Sequence, residues 1–166
     1  MISDSQVQFL EIFGDRNHKW ESQEDILKLS RFYLYDQVKV LESALDVLDR
    51  STTRIQCFDS KTKEGDIIRS FWKVPGTRRD SDNPYVCTET GCNCVRYSEL
   101  ARAADTMLTP FCKHRIACYL ATALDLVDYI QISEEEFAQQ LASSSVVGIE
   151  SANNIGRNKF TRAHYS

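Results

Sequence analysis

Gly91-Cys-Asn-Cys94, sixteen further residues and then Phe111-Cys-Lys-His114 form the stretch on which the reading of this chain turns. Four residues of metal-ligand type fall there in two tight pairs. In an extended or knuckle-like segment, residues i and i+2 point to the same side, so Cys92 and Cys94 can reach one ion together. In a regular helix i and i+2 diverge by roughly 200°, so one of Cys112 and His114 must sit at an irregular first turn and the other inside it. Exposed N–H groups of that turn favour a thiolate, the form that binds metal. Three thiolates and one imidazole complete a tetrahedral Zn²⁺ and leave no position for a catalytic water. One structural zinc ion is therefore expected.

The other candidates are weaker. Cys87, five residues before Cys92, is an alternative fourth ligand. Cys57, on a predicted strand, and Cys118, on an apolar helix, read as small core residues. His18 and His164 stand alone and are expected to be exposed. Cys112 and His114 could instead serve as nucleophile and base, but Cys92 and Cys94 would then be unexplained and no acidic orienter is evident. With no Gly-rich Lys-Ser/Thr phosphate-binding segment either, the chain reads as non-catalytic and without a small-molecule substrate.

Outward from the cluster, the texture predicts an α+β fold. Residues 3–13 form a short amphipathic helix ended by Gly14-Asp15. Ser22 and Asp25 then make an N-cap, and Leu27, Leu34, Val38, Leu41, Leu45 and Leu48 recur at helical spacing, giving one long helix or two with a break near Tyr35-Asp36. That stripe reads as the face that packs on the core, with a partner-helix surface as the alternative. Thr52–Phe58 and Ile67–Val74 are rich in β-branched and aromatic residues and read as a hairpin, and Tyr85–Thr88 returns as a third strand after the polar loop Pro75–Pro84. A small three-stranded antiparallel sheet is expected to lead into the cysteines. Thr109-Pro110 signals a helix start, with Ile116, Leu120, Ala123, Leu124 and Val127 as its apolar face. Ser133 and Glu136 form a capping box for a last helix, Glu134 to about Leu141. The organisation is one domain: a helical region 1–50 on a shared core, a zinc-binding region 51–142 and a flexible tail 143–166.

Composition narrows the partners. At 42% hydrophobic and 166 residues the chain supports a single core. A formal charge of −4 and a pI near 5.4 are the wrong sign for gripping phosphates unaided. Basic candidates for nucleic-acid contact are confined to Arg78 and Arg79 in the loop and Arg157, Lys159 and Arg162 in the tail. The N-terminus lacks a secretory pattern, and no apolar run approaches the ~20 residues of a membrane span. Six cysteines are thus expected to sit in a reducing, intracellular setting, where clustered Cys and His hold metal more often than disulfides.

Cys-x-Cys, a spacer, Cys-x-His and then Ala117 resembles the SWIM zinc-finger pattern. The trailing alanine is similar to one branch, the small SWIM-domain recombination mediators of the Shu complex. Ala44-Leu-Asp-Val-Leu-Asp-Arg50 also resembles that family's Ala-Leu-Asp-Leu-Val-Asp-Arg segment. Together the two matches cover residues 30–142. The resemblance implies a nuclear, non-catalytic subunit that pairs with a RecA-like recombinase paralogue and promotes recombinase filaments on single-stranded DNA, reached through the complex. A free-standing nucleic-acid-binding SWIM zinc module is the alternative.

Overall fold

A computed structural model of the chain describes residues 4–51, 53–76, 83–103 and 111–144. The fold is α+β. Helix α1 (Asp4–Gly14) buries Phe9 and Phe13, and α2 (Gln23–Tyr33) starts at Ser22, whose hydroxyl accepts the Asp25 N–H at 3.1 Å and donates to the Asp25 carboxylate at 2.6 Å. The expected break is a 3₁₀ turn at Tyr35–Gln37, after which α3 (Val38–Arg50) buries Leu41, Ala44 and Val47. Val38, expected on the buried stripe, is 45% exposed, while Ala44 and Val47 take the core face.

Strands β1 (Ile55–Lys61) and β2 (Ile67–Val74) form the expected hairpin, with Gly65 at φ 97° in its turn, and β3 (Tyr85–Thr88) pairs antiparallel with β2. The sheet is not the expected three-stranded antiparallel one. A fourth strand, β4 (Val127–Ile132), lies parallel to β1, giving the order β3-β2-β1-β4. Val127, read from sequence as the end of a helical face, begins that strand.

The reason lies at the end of α5 (Lys113–Ala123). Asp125 adopts φ 56°, its N–H donates to the Thr122 carbonyl at 3.3 Å, and Leu126 N–H donates to the Ala121 carbonyl at 2.8 Å. Those two bonds define a Schellman ending, in which the left-handed residue is usually glycine. Here an aspartate fills it, so the stop is concealed in Leu-Asp-Leu. A further helix absent from the sequence reading, α4 (Val95–Ala103), occupies part of the spacer between the cysteine pairs.

One face of the sheet, carrying Cys57, Trp72 and Cys87, shares the main core with Phe9 and Phe13 of α1, Leu41 and Ala44 of α3, and Ile116 and Leu120 of α5. The other face carries Phe58, Phe71 and Val86 and is covered by Phe137 of α6 (residues 134–144), whose ring lies 5.0 Å from that of Phe71. Burying such a side chain contributes about 1.5–3 kcal/mol. The predicted capping box starts α6: Ser133 N–H donates to Glu136 at 2.9 Å and Glu136 N–H donates to the Ser133 hydroxyl at 3.2 Å. This helix continues to residue 144, past the expected start of the tail. The centre of the 75–84 loop (residues 77–82), Thr109-Pro110 and the tail from residue 145 lie outside the described residues. Among the described residues no helix is long and apolar enough to cross a membrane.

Candidate metal centre

A tight turn builds the first half of the site. Thr88 N–H donates to the Gly91 carbonyl at 2.8 Å and Gly91 N–H returns to Thr88 at 3.4 Å, so the chain reverses through Glu89-Thr90. Cys92 then faces Cys87 as an antiparallel pair, and the next pair is closed by Asn93, whose N–H donates to Val86 at 3.1 Å and whose side-chain oxygen accepts the Val86 N–H at 2.9 Å. Cys94 follows at the start of α4. Its carbonyl accepts the Ser98 N–H at 3.2 Å, and its sulfur accepts the Tyr97 N–H at 3.3 Å. The sulfur thus stands where a capping Ser or Asp oxygen would.

A second helix start supplies the other half. Cys112 is the N-cap of α5, with extended φ −114° and ψ 161°, and its carbonyl accepts the Ile116 N–H at 3.1 Å. His114 lies just inside the helix, its ring stacked on Tyr85 at 3.9 Å and 20°. The expectation that one of this pair is irregular and the other helical therefore holds. Both Cys94 and Cys112 sit at the positive end of a helix dipole, which favours their ionised forms.

Cys92, Cys94, Cys112 and His114 are all buried, and their ligand atoms lie within 4.8 Å of one another. Cys92 Sγ is 3.8 Å from His114 Nδ1. A tetrahedral ion with ordinary zinc–sulfur and zinc–nitrogen bonds would hold such a pair about 3.6 Å apart. The four residues can hold a metal ion. Hydrogen bonds from the Cys112 and Cys92 thiols hold Cys94 far below an ordinary thiol in spite of burial, whereas Cys112 is pushed far up by its bonds with Cys92 and Cys94 and by burial.

Cys87 falls outside the four-ligand group. Its thiol donates to Cys92 Sγ at 3.5 Å, and contact with Cys118 holds it well above the ordinary thiol range. Sequence reasoning missed this role, although Gly91 closing a turn between Cys87 and Cys92 was a usable signal. Tyr85 against His114, and Tyr97 at Cys94, carried no signal at all. Ala117 is fully buried in the core shared by α3 and α5, where Ala44 and Ala121 are buried as well. Small side chains there let the two helices approach closely. Cys118 is a core residue as expected, and His18 is exposed beside Trp20.

Cys57 is buried, as expected, but within a polar network. Arg16 reaches across from the segment after α1 to donate to Asp59 at 2.8 Å, Cys57 Sγ at 3.1 Å and Ser70 Oγ at 3.0 Å. Burial above all pushes the Cys57 thiol up to about 12, with Arg16 opposing. Arg78, Arg79, Arg157, Lys159 and Arg162, the basic candidates for nucleic-acid contact, lie outside the described residues, as does His164.

Set against protein-family models, curated proteins and solved structures, the chain matches none.

Proposed function

We propose that the chain is a non-catalytic, zinc-binding interaction subunit of a Shu-type recombination complex, nuclear in location. The observation that carries the metal reading is the closed set of four buried ligand residues, Cys92 in the bridge with Cys87 and Cys94, Cys112 and His114 at the starts of two helices. Thiolates with one imidazole suit Zn²⁺ over harder cations, and four protein ligands leave no open position for substrate. Three thiolates around a divalent ion leave one net negative charge. Arg115, buried in the turn that holds His114 and donating to the Glu89 carbonyl, brings a compensating cation into the same segment.

What supports the partner is the SWIM-like spacing with its trailing Ala117, together with the Ala44–Arg50 segment in α3. A RecA-like recombinase paralogue is the partner this reading names. The acidic balance assigns strong contact with single-stranded DNA to the complex rather than to this chain.

Two measurements on one preparation test the proposal: metal analysis of the purified chain, and identification of what copurifies with it from cells. One zinc per chain with a recombinase paralogue is the expected result. Zinc-free protein, or tight and steeply salt-dependent DNA binding by this chain alone, would overturn it.

A further inference from the structure

The fifth cysteine sits where a disulfide would dismantle the metal site. Cys87 and Cys92 are partners in an antiparallel bridge, flanked by the hydrogen-bonded pair Thr88–Gly91 on one side and Val86–Asn93 on the other. They therefore occupy a non-hydrogen-bonded position, where Cα atoms approach to about 4.5 Å and side chains lie closest. That separation falls within the range a disulfide spans without backbone movement. Their sulfurs are already 3.5 Å apart, both in the thiol state.

We infer that Cys87 is a resolving cysteine, and that oxidation joins it to Cys92 and so expels the metal ion. The inference rests on the metal reading above. A peroxide is the oxidant the chemistry requires. The Cys92 sulfur attacks one peroxide oxygen, the O–O bond breaks, and water leaves, giving a sulfenic acid at Cys92. Cys87 then attacks that sulfur; the S–S bond forms, and the departing hydroxide takes the Cys87 proton as a second water. Two thiols lose two electrons and one peroxide gains them. A disulfide sulfur no longer offers the thiolate that zinc requires, so three ligands remain and the ion is released.

Geometry favours this pairing over the others. Cys92 is the least buried of the four ligands, at 9% exposure, and is the one peroxide meets first. Cys94 is two residues along the chain from Cys92 and is held at the start of α4 by the Tyr97 N–H. Cys118 touches Cys87 from within α5 and is not a ligand, so a Cys87–Cys118 bond would leave the four ligands in place.

The test uses the full chain loaded with zinc, treated with hydrogen peroxide, with released zinc followed by a colorimetric chelator. Oxidised protein is cut after Glu89, which separates Cys87 from Cys92, and the linked peptides are fragmented to assign the bond. Expected are a Cys87–Cys92 disulfide that accumulates in step with zinc release, return of zinc binding on reduction, and release slowed by about tenfold or more in Cys87→Ser. Cys118→Ser should release zinc at the wild-type rate. A Cys92–Cys94 or Cys94–Cys112 bond, or wild-type release from Cys87→Ser, would overturn the inference. Where Cys87→Ser does not fold, the linkage map of the wild-type chain decides alone. Zinc content before oxidation tests the metal reading separately, because a zinc-free chain still reports through its linkage map.

Discussion

Stripping the metal should lower thermal stability by an amount the site itself fixes. Structural zinc bound by thiolates and imidazole in zinc-finger peptides is worth about 10–16 kcal/mol. A value near 12 corresponds to a dissociation constant of about 1 nM. At about 1 µM free zinc, a ligand bound only by the folded chain then adds about 4 kcal/mol. For a domain of roughly this size each kcal/mol moves Tm by about 2–4 °C, so holo and chelated protein should differ by about 8–16 °C. Each tenfold change in free zinc should move Tm by about 3–6 °C.

The assay is calorimetry in zinc buffers, with Cys112→Ser and His114→Ala beside the wild type. Both variants should hold well under one zinc and lose the zinc dependence of Tm, because each removes a ligand that starts α5. They should also fail to retain the recombinase paralogue. Cys57→Ser should keep both zinc and its Tm response, since Cys57 belongs to the Arg16–Asp59 network. A Tm indifferent to chelator, or stoichiometric zinc in His114→Ala, would refute the ligand assignment.

Two further perturbations probe the scaffold. Asp59→Asn strands the Arg16 guanidinium beside Cys57 and should cost about 3 kcal/mol, read by urea denaturation. Burial alone would raise the Asp59 pKa, but hydrogen bonds from Arg16 and Ser70 outweigh it and hold the carboxyl below its ordinary range. The stability this group contributes is thus present above about pH 4 and lost as pH falls through its lowered folded pKa, and the variant should lack that part of the acid dependence. Ser133→Ala removes the hydroxyl that caps α6 and should cost about 1 kcal/mol, a Tm shift of about 2–4 °C by calorimetry.

Much of the fold was legible because its signals are local. The Ser22–Asp25 and Ser133–Glu136 caps, the β1–β2 hairpin and the β3 strand each depend on residues a few positions apart; the caps and β3 stand where the sequence placed them, and the hairpin forms with its first strand shifted to Ile55–Lys61 from the expected Thr52–Phe58. The errors share a different cause. Strand β4 pairs with β1 across some seventy residues, so its neighbour is invisible to periodicity, and Asp125 in a glycine's conformation hid the helix end before it. The 3₁₀ turn at Tyr35–Gln37 interrupts the helix at the break the sequence offered, leaving Val38 at the exposed start of α3. At the site, the four residues that could hold a metal were readable because paired Cys and His at short spacing are a local signal. Their supports were not: a backbone N–H at Tyr97 and a stacked Tyr85 ring are roles almost any sequence can supply.

The sheet and the cysteine cluster are one construction. Register aligns Tyr129, Cys57, Trp72, Cys87 and Cys92 across successive strands, so a single row runs from the exposed Tyr129 on the parallel edge through the buried Cys57, Trp72 and Cys87 to a candidate ligand. At the far end of that row, Cys112 fixes the first turn of α5, and the Schellman ending of α5 delivers the chain into β4 beside β1. The candidate metal site is therefore joined to the edge strand through a helix rather than through a loop. That geometry explains why an eleven-residue helix is buried along nearly its whole length, including His114 and Arg115. It is the strut between the metal centre and the strand that completes the sheet.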